Sequence, residues 1–471
     1  MEVTNMRGTQ AQARMEAGLA APRRARPGEV HPIRWWVRRR VWLPPVLAAL
    51  AGACLGILFV EYPSPMARVL RGVAWQATAA EARNMLSTVL GITLTSLSIV
   101  LSLSMLVVQN AAGQYSPRLL RLFLHSAGIR VVIPMFVATS VFCLVAAQEF
   151  GFVSGTGRAP RPALGLAMLL LVACEGALVF QVLHTLQIMR VEKLVRWIRR
   201  ETLRVARTQE RFRRWDADMP AVVPARPEGA WPLRAPANGF IVAVDERALL
   251  AAATARGLVV HVSHAIGEPV IQGAEVGWVE ATGHASPASR AASEALLTRA
   301  ILLDRWRDED ADVALGVRQL VDVAIKALSP GINDPYTAVE VVDQLTFLLC
   351  ELSRLHLGPR VLEDEAGSAR VFLHALALRD YLELATDQIL RYGASEPAVV
   401  LRLLRMAGAV GQRARSAEDR RAARETLHRL LAEAERAQAG APWLEPLRRH
   451  AETLERARAG GWLPPLPAHA F

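Results

Sequence analysis

The sequence predicts a mainly α-helical membrane protein: a four-helix transmembrane domain followed by a cytoplasmic small β module and an α-helical domain. Three observations favour this class. Hydrophobic residues make up 52% of the 471 residues, and the mean hydropathy is +0.21. Four long apolar segments with at most one charge each lie before residue 190, as expected of membrane helices. Strand-like alternation is confined to one later stretch, Asn238 to Glu280.

Residues 1–33 are polar and are predicted to be a disordered cytoplasmic N-terminus. Residues 34–212 are assigned to the transmembrane domain. Its spans are predicted at about residues 41–60, 88–108, 131–148 and 163–186, because about 20 apolar residues cross the hydrocarbon core as a helix. From Val191 the pattern stays helical and becomes basic, which we interpret as the fourth helix continuing into the cytoplasm. Residues 213–237 are Pro-rich and are predicted to be a linker.

Charge divides the chain into two parts. The first 215 residues carry 27 Lys or Arg against 10 Asp or Glu, whereas the remainder carries 28 against 34. The basic residues flank the apolar segments, which favours the lipid bilayer rather than nucleic acid as the partner. The four cysteines show no CxxC spacing and are typical of buried thiols, so no metal or redox site is expected.

The distribution of Lys and Arg also predicts the orientation of the chain. Seventeen of them flank the spans on the side of the N-terminus and five on the opposite side. The positive-inside rule then places both termini in the cytoplasm. Arg118 and Arg121, in the loop after the second span, belong to a predicted surface helix that begins at Ser116 and Pro117. They either contact anionic lipid head groups or only contribute to the orientation.

The β module is assigned to residues 238–282. Strands are predicted at Gly239–Val244, Leu258–Val262, Pro269–Ile271 and Val276–Val279, and a helix capped by Asp245 is predicted between the first two. This arrangement is similar to half of a barrel-sandwich hybrid, the fold of lipoyl and biotinyl carriers. A carrier needs an exposed Lys at the hairpin tip, and none is present. The module is therefore expected to carry no cofactor and to serve as an adaptor or in oligomerisation.

The helical domain is assigned to residues 293–460. Its most distinctive stretch is GVRQLVDVAIKALSPGINDPYTAVEVVDQL, Gly316 to Leu345, which predicts two helices joined by a tight turn. Asp334 and Pro335 are typical of a helix start. This stretch, together with QYSPRLLRLF at Gln114 to Phe123, resembles the bacterial membrane-protein family known as domain of unknown function 2254. The resemblance covers most of the chain after about Arg34 and implies no activity, because the family has none assigned.

Two features of the spans admit a functional interpretation. Small residues recur at steps of three or four in the second span, at Ser87, Gly91, Thr95, Ser98 and Ser102. They share one helical face, which either lines a pore or packs against another helix. Glu175 lies near the middle of the fourth span, where an ionised carboxylate is costly. It indicates a proton or cation site, or a single polar residue that faces protein or water.

A third candidate site lies at the central helix pair. Arg318, Asp322 and Lys326 are spaced by four and form one polar row towards the turn. Asn333, Asp334 and Thr337 follow in the turn and the next helix. Together these six residues form either a pocket for a small polar ligand or a salt-bridged row beside a helix cap.

No HExxH, GxSxG, Walker or GxGxxG motif occurs, so no enzymatic activity is expected. We expect a protein of the bacterial inner membrane. Four helices with so few polar residues enclose no wide aqueous pore alone. The favoured function is therefore an oligomeric channel or transporter-like assembly with a cytoplasmic regulatory domain, formed by several copies of this chain. The alternative is a membrane-anchored scaffold or ligand sensor that acts through its cytoplasmic helical domain.

Overall fold

The computed structural model describes residues 43–61, 79–114, 128–152, 161–188, 190–210, 225–281, 287–438, 440–457 and 463–466. Residues 1–33, residues 213–224 of the predicted linker, and Arg118 and Arg121 lie outside this part of the chain.

Four apolar helices come first: α1 Leu43–Glu61, α2 Ala79–Gln114, α3 Ile133–Phe152 and α4 Arg161–Ile188. A π-helical turn, Gly128–Val132, leads into α3. The segments long and apolar enough to cross a membrane are Leu43–Val60, Ala80–Leu106, Arg130–Glu149 and Pro162–Thr185. They overlap all four predicted spans, so the multi-span prediction is confirmed.

Large apolar side chains lie on the outside of this four-helix group. Leu50 of α1 is 60% exposed, and Val172 of α4 is 69% exposed. In water such side chains would be buried, because removing apolar surface from water is the main driving force of folding. Their outward position is the arrangement expected where the surroundings are lipid tails.

A separate basic helix follows. The fourth membrane helix ends at Ile188, and α5 runs Val191–Glu210. The interpretation of one continuous helix through this region is therefore wrong. The physical reason is amphipathic burial: Leu194, Val195 and Ile198 on one side of α5 are buried in the large hydrophobic core of the C-terminal region, which holds this helix as a separate element.

The C-terminal region combines two small sheets with helices. The first part comprises β1 Trp231–Arg234, β2 Gly239–Val244, α6 Glu246–Ala255, β3 Leu258–Val262, β4 Pro269–Val270, β5 Glu275–Ala281, α7 Pro287–Thr298 and β6 Ile301–Asp304. The second part comprises α8 Val313–Ala327, α9 Pro335–Leu352, β7 Arg360–Glu363, β8 Ala369–Leu373, α10 Leu378–Gly393, α11 Pro397–Arg413, α12 Ala417–Ala437 and α13 Leu444–Ala457.

One sheet has the strand order β1-β5-β3-β8-β7 and the other β4-β2-β6. Only the β3–β8 pair is parallel among the described strands. All four strands predicted in the β module are present, and so is the helix after the first of them. The Asp245 carboxylate accepts a hydrogen bond from the Ala248 backbone N–H at 3.0 Å, as its cap position predicts.

The two sheets include strands from outside residues 238–282. Strand β1 lies in the segment predicted as linker, and β6, β7 and β8 come from the segment assigned to the helical domain. The helical domain was assigned from residue 293, but the helix there ends at Thr298, because Ile301–Asp304 pairs with β2 instead. Pairing across so many residues leaves no local pattern in the sequence. The likeness to a barrel-sandwich hybrid stays a prediction.

The central helix pair, α8 and α9, lies at the centre of the helical core. Val317, Leu320 and Leu345 have no exposed surface. Helix α5 packs against both α8 and α9. It approaches α8 most closely at Gly316, where any Cβ would overlap the side chain of Thr202 on α5. The first helix after the membrane is thereby fixed to the centre of the C-terminal region.

Candidate functional site

The small-residue face of α2 points away from the other helices that the structure describes. Ser87, Gly91, Thr95, Ser98 and Ser102, defined here as the outer stripe, are all exposed. No described atom outside the helix lies within 4 Å of the position where Gly91 would carry a Cβ. The sequence correctly predicted that these residues share one face, but no other described helix of the same chain covers it.

A second polar face of α2 contacts the other membrane helices. Thr93, Ser96 and Ser104 are buried on the side opposite the outer stripe. The hydroxyls of Thr93 and Ser140 of α3 are 3.2 Å apart. The Cys174 thiol of α4 donates to the hydroxyl of Thr139 of α3 at 3.4 Å. Such hydroxyl contacts join helices where lipid provides no hydrophobic driving force.

Glu175 lies at this inner contact and is partly buried. The Ser96 hydroxyl donates to Glu175 Oε1 at 3.0 Å. Sequence reasoning identified no partner for Glu175, because Ser96 lies on a different side of the helix from the outer stripe. One donor reduces the cost of placing a carboxyl group among apolar helices.

A further contact lies towards the C-terminal end of both helices. Gln181, only 3% exposed, has its Nε2 3.5 Å from the Ser104 hydroxyl, and its Oε1 has no partner among the described residues. Val100 lies midway between Ser96 and Ser104 and belongs to an apolar cluster with Phe136 and Cys174. The two polar contacts are about 12 Å apart along α2, and apolar side chains separate them.

Sequence reasoning missed one close helix contact within the described membrane helices. Gly52 and Gly56 of α1 form a GxxxG motif, a signal that was readable in the sequence. A Cβ at Gly52 would overlap the carbonyl oxygen of Ala138 in α3, and one at Gly56 would lie 3.0 Å from Val145 Cγ1. These glycines are required for the close approach of α1 and α3.

The turn between α8 and α9 is closed by its own hydrogen bonds. The backbone N–H groups of Ile332 and Asn333 donate to the Ser329 carbonyl, and that of Asp334 donates to the Ala327 carbonyl. Asn333 has φ +49°, a conformation that Asn tolerates better than most residues. Asp334 accepts from the backbone N–H and the hydroxyl of Thr337 at 3.0 and 2.6 Å. The predicted cap is therefore present.

The polar row of α8 is partly paired. Arg318 Nε and Asp322 Oδ1 are 3.2 Å apart, and Asp322 is buried. Lys326 is half-buried, and its ammonium group has no partner within the described part of the chain. None of the six residues predicted for a polar pocket lines the three best-formed cavities among the described residues. The largest of these, about 250 Å³, lies next to the turn and is lined by Pro335, Tyr336, Glu396, Pro397, Ala398, Trp443 and Pro446.

One buried histidine lies where the two parts of the sheet join. His261 of β3 is 7% exposed, stacks on Trp278 with the ring centroids 5.3 Å apart, and has no partner for Nδ1 among the described residues. Burial, and next the nearby His374, lower the pKa of His261. Neutral His261 is therefore favoured in the folded protein.

The fold and these contacts define a multi-span membrane protein with a large mixed C-terminal region. The chain belongs to the family described as "Predicted membrane protein (DUF2254)", which it matches over residues 38–408. This confirms the resemblance drawn from its motifs.

Similar proteins carry no assigned activity. Uncharacterized proteins of Mycobacterium bovis and of Mycobacterium tuberculosis are each 30% identical to this chain over 382 residues, which is 80% of this chain and 73% of theirs. No solved structure matches.

Proposed function

We propose that the protein is a homo-oligomeric channel or transporter-like assembly of the inner membrane, in which α2 of each copy turns its outer stripe to a shared axis. The C-terminal region is proposed to lie in the cytoplasm, with both termini, and to regulate the assembly. The proposal includes no catalytic step.

The observation that carries the proposal is the exposure of all five outer-stripe residues in a single copy. Leu94 and Leu101 are exposed on the same helix, so polar and apolar groups lie side by side on one outer surface. Lipid tails solvate the leucines but offer no partner to the hydroxyls of Ser98 and Ser102. Small hydroxyl residues suit either a water-filled path or the contact with another helix.

The inner face of α2 supports the need for several copies. Its polar contacts are used between helices of one chain, and the apolar cluster around Val100 interrupts them. A single chain therefore offers no polar route along this contact, whereas an assembly brings several outer stripes together.

The proposed regulation depends on α5. This helix follows α4 directly and is fixed to α8 and α9. A displacement of the C-terminal region would thus act on the end of a membrane helix. The β module is proposed to act as an adaptor or oligomerisation element, with the barrel-sandwich likeness noted above.

The cavity beside the turn favours the rival, a membrane-anchored ligand sensor or scaffold. Its volume of about 250 Å³ limits the ligand to a small one, and Tyr336 and Trp443 line it. In that case the membrane helices only anchor the chain, and the outer stripe has no role in conduction.

Cross-linking in native membranes tests the assembly. In a Cys54→Ser background, which removes the exposed native cysteine, Ser98→Cys should give disulfide-linked dimers on mild oxidation. Val172→Cys, on an exposed apolar position of α4, is the matched control and should remain monomeric.

Planar-bilayer recordings of the purified protein test conduction. Thr95→Leu should reduce single-channel conductance at least several-fold, because a large apolar side chain would replace a hydroxyl on the shared path. The channel would be contradicted if the Ser98→Cys protein stays monomeric, or if the wild type gives no conductance in bilayers. Either result would favour the ligand sensor or scaffold.

A further inference from the structure

The exposed surface of α5 carries one row of basic residues. Lys193, Arg196, Arg200, Arg204 and Arg207 recur at steps of three or four and are all exposed. The opposite side of the helix is buried against the C-terminal region. The row therefore faces solvent along the whole helix.

The two halves of this row differ in their partners. The half distant from the membrane is neutralised: Arg204 lies 2.5 Å from Glu201 and 3.1 Å from Asp310, and Arg207 lies 2.8 Å from Glu351. The hydrogen bond from Arg204 to Glu201 also raises the pKa of Arg204.

Two arginines nearer the membrane, Arg196 and Arg200, differ from these distal arginines. Neither Arg196 nor Arg200 makes an ion pair with any residue that the structure describes. Burial lowers the pKa of Arg199, and the charges of Arg200 and Arg196 lower it further. Positive charge without an acidic partner among the described residues is thus concentrated at Arg196 and Arg200, defined here as the proximal basic face.

The position of this face supplies the second part of the argument. The apolar segment of α4 ends at Thr185, and α5 begins at Val191. Arg196 therefore lies within about three helical turns of the hydrocarbon core, inside the zone where charged lipid head groups act. Trp197 is 45% exposed beside it, and Trp is enriched at membrane interfaces.

We infer that the proximal basic face binds the phosphate head groups of anionic phospholipids and thereby fixes α5 at the membrane surface. Positive-inside orientation alone would be satisfied by basic residues anywhere near the span. It does not explain why Arg204 and Arg207 have acidic partners whereas Arg196 and Arg200, on the same exposed row, have none among the described residues. The inference is independent of conduction, because it requires only that α4 spans a membrane.

Thermal unfolding of the full-length protein in detergent tests the inference. Phosphatidylglycerol added to the micelles should raise the unfolding midpoint more than phosphatidylcholine does. Arg196→Gln with Arg200→Gln should abolish most of that difference and leave the midpoint in phosphatidylcholine unchanged. Arg204→Gln with Arg207→Gln removes the same charge from the same helix, and this control should retain the difference from a lower starting midpoint.

Two further arms separate charge from fold and lipid from other anions. Arg196→Lys with Arg200→Lys should retain the phosphatidylglycerol effect, and about 0.5 M salt should weaken it in the wild type. Equal lipid effects in the wild type and the proximal Gln variant, or equal losses in both Gln variants, would overturn the inference. A larger stabilisation by a duplex oligonucleotide that is lost in the proximal variant would also overturn it.

Discussion

Helices α1 and α2 both carry small residues at steps of about one helical turn, but the chain uses them differently. Gly52 and Gly56 of α1 lie against α3, so closely that a Cβ at Gly52 would overlap a backbone carbonyl oxygen. Gly91 of α2 has open space in front of it as far as the described residues extend. In lipid, small residues stabilise helix contacts by permitting close approach. The covered motif therefore joins two helices of one chain, and the open stripe is the surface that the proposed assembly would use.

The inner face of α2 strengthens this comparison. Ser96 and Ser98 are two residues apart on the same helix. Ser96 donates a hydrogen bond to Glu175 of another helix, whereas Ser98 is exposed. Residue type alone does not separate them. Their different angle around the helix decides which hydroxyl contacts another described helix and which is exposed.

The largest expected effect distinguishes the two small-residue motifs directly. Gly52→Leu should cost about 3 kcal/mol of unfolding free energy or more, because the overlap is with backbone and no side-chain rotation relieves it. Gly91→Leu should leave the protomer as stable as the wild type, since the site is open and Leu favours helix. Unfolding of the purified protein in a denaturing detergent series measures both.

The variants Gly52→Leu and Gly91→Leu also test whether the two small-residue motifs have different roles. Gly91→Leu should lower the yield of Ser98→Cys cross-links in membranes, whereas a folded fraction of Gly52→Leu should keep its capacity to cross-link. A loss of protomer stability in Gly91→Leu as large as that in Gly52→Leu would show that the outer stripe is covered within one chain.

A smaller effect is expected at the paired serines. Ser96→Ala should cost about 1 kcal/mol, because Glu175 loses the donor that lies 3.0 Å from its carboxyl oxygen. Ser98→Ala, the matched control, should change protomer stability by less than about 0.5 kcal/mol. Denaturing detergent titration again gives the readout, and identical values for the two variants would contradict the division into inner and outer faces.

The smallest effects are expected at the turn between α8 and α9. Asn333→Ala should cost about 1 kcal/mol, since φ +49° is unfavourable for Ala, whereas Asn333→Gly should be close to neutral. Lys326→Ala should change stability by less than about 0.5 kcal/mol. None of the three should alter cross-linking at Ser98→Cys if the turn is only a helix connection.

Thermal unfolding of the three turn variants with and without small polar metabolites sharpens this last point. A ligand that stabilises the wild type but neither Asn333→Gly nor Lys326→Ala would support a ligand pocket at this turn and favour the sensor function. Equal shifts in all forms would place the ligand elsewhere or exclude one from this turn.

Local patterns in the sequence determined the elements of this protein. Apolar runs of sufficient length predicted the four spans, and Asp245 and Asp334 marked helix starts at which each carboxylate accepts a backbone hydrogen bond. These features depend on residues close together in the chain, where capping, periodicity and length act. The same local logic placed the outer stripe on one face of α2.

Only the tertiary structure decided which partners these elements meet. The parallel pairing of β3 with β8, the break before α5, the contact of Gly52 with Ala138 and the partner of Glu175 all join residues far apart in sequence. Such pairings follow from how the whole chain packs, and the periodicity of the sequence does not predict them. Period and spacing thus reveal that a helix has a polar face, but only packing determines which polar face is covered and which remains open.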